Sequence, residues 1–254
     1  MSSDIRASAT WTPESLSAQW DSIALERDNQ LRSGRDVSFE HVLKPTVLKL
    51  IESSPSGKLL DVGCGSGVLT EILADQFGCV VGVDMSQVNI KLANESKAKK
   101  NNTDYVCGRI ENVMFGSDRV FTAIVANMVL QDTADLSSCL KSLAQNSCVG
   151  AKLIATITHP WFWPTYWGYE KEHWFEYTKE LAIEAPFRVS SDSAVVGVTT
   201  HFHRPLSMYT NTLNNHGFHL DQIIEPVPPD SVQKMYPSAW SYPRFLAFKC
   251  TFEG

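Results

Sequence analysis

The sequence predicts an α/β protein whose helices cover a mostly parallel sheet. Three observations carry that expectation. Strand-like and helix-like segments alternate from Lys58 to Thr158, and a glycine-rich turn joins the first of these strands to its helix. The chain has 254 residues, 43% hydrophobic and 20% charged, enough for one sizeable core. Alternation at this period builds βαβ units, because parallel neighbours need a crossover that helices supply.

Two helical patterns come first. Pro13 to about Leu31 sets Leu16, Trp20 and Ile23 at helical spacing, with Pro13 suited to a first turn; about Phe39 to Ser53 sets Val42, Val47, Leu48 and Ile51, and Pro45 should break or kink it. Lys58–Val62 then reads as a buried strand, Val68–Phe77 as a helix, Cys79–Val83 as a strand, Gln87–Lys100 as a helix and Tyr105–Cys107 as a short strand. Val120–Ala126 is the next strand, Ala134–Asn146 a helix and Lys152–Thr158 a strand. From His159 through Arg204 the alternation stops, apart from a run from Val195 to His203 that can form a strand; an insertion of this length usually carries function. A helix from about Pro205 to His216, capped by Gly217, is followed by the strand Phe218–Ile224, a proline-rich loop and a last strand, Arg244 to Phe252.

Composition excludes several classes. Lys and Arg total 22 against 28 Asp and Glu, a net charge of −6, so the molecule repels a phosphate backbone; the short run Lys97, Lys99, Lys100 is a weak exception, and no nucleic-acid partner is expected. The six cysteines, Cys64, Cys79, Cys107, Cys139, Cys148 and Cys250, form no Cys-x-x-Cys pair, so neither a zinc site nor a disulfide framework is expected, and a reducing, cytoplasmic setting is. Met1 to Thr10 lacks the apolar core of a signal peptide, and no apolar run reaches the ~18 residues of a membrane span. The aromatics are uneven: nine fall between Trp161 and Tyr177.

The strongest local signal is Leu59-Leu60-Asp61-Val62-Gly63-Cys64-Gly65-Ser66-Gly67, an apolar strand running into a glycine turn that opens a helix. Glycines allow positive φ and let a ligand approach without meeting a Cβ. The second strand ends in Asp84, where a carboxylate can accept both hydroxyls of a ribose. The spacing Gly63-x-Gly65-x-Gly67 differs from the Gly-x-Gly-x-x-Gly dinucleotide fingerprint. Asp61 beside the turn would repel a pyrophosphate but suits an amino-acid ammonium, which favours S-adenosylmethionine over NAD.

Through Asp61-Val62-Gly63-Cys64-Gly65-Ser66-Gly67, Asp84 and Ala126-Asn127-Met128-Val129-Leu130, the chain resembles the class I S-adenosylmethionine-dependent methyltransferases, most strongly from about Lys58 to Thr158. The resemblance implies an α/β class I methyltransferase fold: a seven-stranded, mostly parallel sheet with helices on both faces and its last strand inserted antiparallel. It assigns Gly63, Cys64, Gly65 and Gly67 to the methionine and ribose of the cofactor, Asp84 to the ribose hydroxyls, and Met85 and Ser86 to the adenine. Arg109 stands where the family often has an Asp for the adenine amine, so the backbone around Ile110 or the carboxylate of Glu111 must serve. Asn127, Met128 and Gln131 would line the floor beneath the sulfonium. Asp132 and Asp135 read as a solvated helix start.

Methyl transfer needs alignment, exclusion of water and, for a protonated nucleophile, a proton acceptor; no Ser-His-Asp or Cys-His set is expected. The resemblance places the substrate against the N-terminal helices, where Trp20, Arg27 and Gln30 could close the site, and against the insertion. There Trp161, Trp163, Tyr166, Trp167 and Tyr169 read as a lid over an apolar, flat or cationic substrate, with a packing anchor or dimer interface as the rival. His159, at the end of the fifth strand, is the first choice as general base or orienting group, followed by Glu170 and His173. Extended backbone would put His201 and His203 on one face beside Arg204, to hold an acidic group or, with Glu170, a metal; two histidines do not make a metal site, and none is assigned.

The expectation is one methyltransferase domain over residues 1–254: a helical lid (1–57), a cofactor-binding core (58–158), a substrate cap (159–204) and a C-terminal part completing the sheet (205–254). It would move a methyl group from S-adenosylmethionine, leaving S-adenosylhomocysteine, to O, N or C of a small organic molecule such as a secondary metabolite, acting as a monomer or homodimer. The rivals are a non-catalytic S-adenosylmethionine-binding protein and a protein methyltransferase.

Overall fold

The structure is a computed structural model that describes every residue except 1–3, 55–56, 97–99, 117–119, 192–193 and 195. Lys97, Lys99 and Val195 lie outside the described residues.

After a two-residue strand, β1 (Arg6–Ala7), helix α1 (Pro13–Arg32) starts on a capping box in which Thr12 accepts from the Ser15 N–H and Ser15 Oγ accepts from the Thr12 N–H, with Pro13 in the first turn. The second helical pattern divides. A π-helical turn, Phe39–Leu43, passes into α2 (Lys44–Ile51), and Pro45 sits in the first turn of α2, where its missing N–H costs nothing. The Lys44 N–H reaches back five residues to the Phe39 carbonyl, so the proline shifts the hydrogen-bond register instead of ending the helix.

The central elements follow as β2 (Lys58–Val62), α3 (Val68–Leu73), β3 (Cys79–Asp84), α4 (Gln87–Ser96), β4 (Thr103–Cys107), β5 (Phe121–Asn127), α5 (Leu136–Gln145) and β6 (Ser147–Thr158). Helix α3 is four residues shorter than expected. The insertion adds α6 (Phe162–Trp167), β7 (Leu181–Phe187) and β8 (Gly197–His203); α7 (Leu206–Asn215), β9 (Phe218–Ile224), a short α8 (Asp230–Gln233) and β10 (Phe245–Phe252) complete the chain.

Seven strands form one sheet in the order β4-β3-β2-β5-β6-β10-β9, with β10 antiparallel to both its neighbours and the others on its β6 side parallel to one another. Side chains alternate between its faces. Leu60, Val62, Ile124 and Leu153 pack with Leu140 and Leu143 of α5, while Leu59, Val80, Ala123 and Ile154 pack with Val47 and Ile51 of α2 and Leu73 of α3. Two covered faces explain why the central strands are continuously apolar. The strand order reverses between β2 and β5, which opens a crevice at their carboxyl ends.

A second, antiparallel sheet, β1-β7-β8, was not expected beyond β8. In β7, Ile183 and Ala185 are buried at period two, and Pro186 lies past the two residues paired with β1, so its missing donor falls on an open edge. Helix α1 lies against β8: a Cβ on Gly197 would come within 2.5 Å of Ile23 Cγ2, and the Thr200 N–H donates to Gln19 Oε1. The described residues include no helix long and apolar enough to cross a membrane.

Candidate active site

The crevice opens into a cavity of about 290 Å³ bounded by the carboxyl ends of β2, β3 and β5, helix α1, β7, β8 and α6. Its cradle begins at the glycine turn. Gly63, Gly65 and Gly67 have φ of 63°, 55° and 83°. A Cβ on Gly63 would lie 1.9 Å from Val129 Cγ2, whereas a Cβ on Gly65 would meet nothing within 4 Å. Gly63 is thus demanded by protein packing; Gly65 leaves room for something else. Cys64 lines the cavity, with its buried thiol beside Gly82 and pushed up in pKa by burial.

Asp84 closes β3 at this turn. Its Oδ2 accepts from the Gly65 N–H at 2.9 Å and its Oδ1 from the Ser86 N–H at 2.8 Å. The Asn89 side chain also donates to this carboxylate, and the acceptor capacity that remains is held in fixed orientation for a ribose diol. Asp61 is buried below the turn, accepts from Thr70 Oγ1 at 2.6 Å, and burial raises its pKa to about 7. A bound ammonium would stabilise its ionised form. Glycine cradle, oriented diol acceptor and buried acid fit the ribose and amino-acid parts of S-adenosylmethionine.

The remaining cofactor positions divide. Met85 lines the cavity, but Ser86 does not: its buried hydroxyl donates to Asp21. Ile110 and Glu111 both line it; the Ile110 carbonyl is already taken by Ser142 Oγ, which leaves the Glu111 carboxylate, shared with Arg109 at 3.3 Å, as the acceptor for an amine. Asn127, Met128 and Gln131 form the wall after β5. Met128 has φ 58°, the one non-glycine residue with positive φ among those described, held there by its N–H donating to the Thr156 carbonyl and Oγ1. A non-glycine residue held in this region stores strain of about 1–3 kcal/mol, which the surrounding bonds must offset.

The expected catalytic set does not assemble here. His159 lies outside the cavity. Its Nδ1 accepts from the Trp161 and Phe162 N–H groups, so its Nε2–H donates to Glu225 at 2.9 Å, and the ring caps the segment that becomes α6. Glu170 is also outside, with Oε2 buried and unpartnered, and His203 donates from Nε2 to the Tyr177 carbonyl. His201 does line the cavity; burial lowers its pKa to about 4, leaving it neutral, with Tyr169 OH at 3.4 Å. Among the described residues no three acidic, histidine or cysteine side chains gather as a metal site.

The aromatic segment likewise splits. Trp163 and Trp167 line the cavity together with Trp20, whereas Tyr166 stacks under Arg244 at 4.1 Å, Tyr169 is buried in the cap's own core, Trp161 is 60% exposed against Tyr177, and His173 is exposed. Arg204 is no ligand-binding group: its buried guanidinium donates to the carbonyls of Leu130, Thr133 and Ala134 and to Glu180, clamping the end of β8 onto the loop after β5. Other residues line the cavity without a sequence signal pointing there. Asp132 is no solvated helix start but lines the cavity, and burial raises its pKa to about 8; Asp135 alone caps α5. Phe187 and Arg188 were hidden because β7 was not recognised, although Leu181, Ile183, Ala185 and Phe187 alternate.

The seven-stranded sheet with its last strand antiparallel is the class I methyltransferase fold that the resemblance implied, with the left-handed glycine turn and the acid closing the second strand at the implied positions. Residues 60–155 match the family described as methyltransferase domain. The chain is similar to a ubiquinone biosynthesis O-methyltransferase of Coxiella burnetii, 36% identical over 117 residues, which are 44% of this chain and 50% of that protein. The chain thus spans about half the length of the curated relatives it matches. Among solved structures it resembles a putative S-adenosylmethionine-dependent methyltransferase from Listeria monocytogenes, with TM-score 0.66, 20% identity, and 84% and 97% of the two chains covered. It also resembles the [4+2]-cyclase SpnF, with TM-score 0.64, 13% identity, and 96% and 97% covered. At these identities the structural likeness shows the fold, and activity must be argued from the site.

Proposed function

We propose that this chain transfers a methyl group from S-adenosylmethionine to a small organic molecule. The observation that carries it is Asp84, whose two oxygens are aimed by the Gly65 and Ser86 N–H groups at the mouth of a glycine cradle. When bound, the cofactor supplies a methyl group activated on a sulfonium. Asp84 holds the ribose, Asp61 attracts the ammonium, Glu111 accepts from the adenine amine, and the segment Asn127–Met128 bounds the reacting end. Trp20, Trp163, Trp167 and Phe187 exclude water and present flat apolar faces, which suits an aromatic or otherwise apolar metabolite, a secondary metabolite included.

For a hydroxyl nucleophile, the reaction named for the Coxiella relative, a proton must leave. His159 and Glu170 do not reach the cavity and His201 is a weak base, so Asp132 is the lining group suited to take it near neutral pH. The six free cysteines support a reducing compartment such as the cytoplasm.

The test is calorimetric titration with S-adenosylhomocysteine beside transfer of labelled methyl to a metabolite panel. Micromolar binding with transfer supports the reading. Binding without transfer to any member favours the non-catalytic alternative, and absence of binding removes both.

A further inference from the structure

The cavity's charges are segregated. Asp61, Asp84, Glu111 and Asp132 stand on or just after β2 to β5, around the place proposed for the cationic cofactor. The wall beyond the end of β7 carries Arg188, whose guanidinium lies over the Trp167 ring at 4.6 Å. Among the described residues no carboxylate pairs with it. Asp36, the one lining acid outside the cofactor group, is already occupied: Oδ1 accepts the Phe39 N–H and Oδ2 the Arg27 guanidinium at 2.7 Å. The Trp167 indole N–H is buried without an acceptor as well. This wall therefore has donors to spare beside the flat apolar faces of Trp163, Phe187 and Phe245.

We propose that Arg188 forms a carboxylate subsite and that the substrate is a flat, apolar carboxylic acid whose body lies along Trp163 and Phe187. The inference deepens the methyltransferase reading and rests on it for the meaning of the word substrate. A guanidinium presents a planar fork that matches a carboxylate with two parallel hydrogen bonds, and stacking on Trp167 holds that plane before the ligand arrives. The partly enclosed, apolar surroundings strengthen the pairing relative to water. Among the described lining residues Arg27 pairs with Asp36 and Arg109 with Glu111, which leaves Arg188 as one uncommitted arginine, and a single cation suits a monoanion better than a phosphate ester. The site also works against the molecule's net charge of −6, so background electrostatics do not account for anion binding there.

Matched acid and amide pairs test this directly: 4-hydroxycinnamate against its amide, and indole-3-acetate against indole-3-acetamide. Each is titrated, with and without saturating S-adenosylhomocysteine, into wild type, Arg188→Gln and Arg188→Lys while tryptophan fluorescence is followed. The acids are expected to bind wild type at least about tenfold more tightly than the amides. Arg188→Gln should erase that preference by weakening the acids alone, Arg188→Lys should restore part of it, and S-adenosylhomocysteine affinity should not change. Amides binding as tightly as acids, neither member of either pair binding, or an intact preference in Arg188→Gln would overturn the proposal. Failure of wild type to bind S-adenosylhomocysteine would remove the methyltransferase reading instead, and the titrations without it would still decide whether Arg188 selects carboxylates.

Discussion

The backbone N–H of Gly65 donates to Oδ2 of Asp84 across 2.9 Å, tying the turn after β2 to the tip of β3. One carboxylate thereby shapes the cradle and remains available to a ligand. Asp84→Ala should weaken S-adenosylhomocysteine binding about 100-fold, the loss of hydrogen bonds to a charged acceptor. Calorimetry on a variant with an unchanged circular dichroism spectrum measures it, and wild-type affinity would end the ribose assignment.

Two glycines of the same turn should behave differently. Gly63→Ala drives a methyl into Val129, with 1.9 Å between the atoms, and is expected to abolish cooperative folding or lower the melting temperature sharply. Gly65→Ala meets no protein atom, so it should cost about 1–2 kcal/mol of left-handed strain yet obstruct the cofactor. Equal melting temperatures for the two variants would show that the turn is free to rearrange.

Asp61 makes binding pH-dependent. Its pKa of about 7 in the folded protein lies above the ordinary carboxylate value of 3.8, so the native state holds a proton that the unfolded chain has released, and this group's contribution to stability falls as pH rises from about 4 to about 7. Ligand ammonium selects the ionised form. S-adenosylhomocysteine affinity should therefore rise from pH 6 toward 7, by at most about tenfold, and level off above about 7.5. Asp61→Asn should give a flat profile, measured by titration across that range; a flat wild-type profile would contradict the pairing.

His159 should matter to the fold and not to the chemistry. His159→Ala removes the acceptor for the Trp161 and Phe162 N–H groups and the bond to Glu225, and is expected to lower stability by about 1–2 kcal/mol. Turnover per folded molecule should stay within about twofold of wild type. A loss of kcat with unchanged melting would make it a catalytic group after all.

Most of the central sheet could be anticipated because its strands, buried on both faces, are uninterrupted apolar runs, and the glycine turn announces itself by spacing. Strand β7 was obscured by the charges of Lys179–Glu184 and by Pro186, which is tolerated only because β1 ends before it. His159 shows the limit at the site. Its position at the end of β6 was correct, but β10 pairs beside it and the ring turns to the start of α6, a choice set by local hydrogen bonds that a single sequence does not display. Arg204 erred for a related reason: a charged residue after a strand suggests a ligand, and only packing reveals three backbone carbonyls waiting for it.

The sequence by itself determined the alternation of elements, the glycine cradle and the acid that closes β3, since each depends on short-range steric and hydrophobic rules. The tertiary structure decided which of the nine clustered aromatics face the cavity, that Asp132 is buried there, and that Arg188 stands on its wall with no carboxylate partner among the described residues. Those outcomes follow from how a second sheet docks on α1, and contacts between elements distant in the chain leave no periodicity to read.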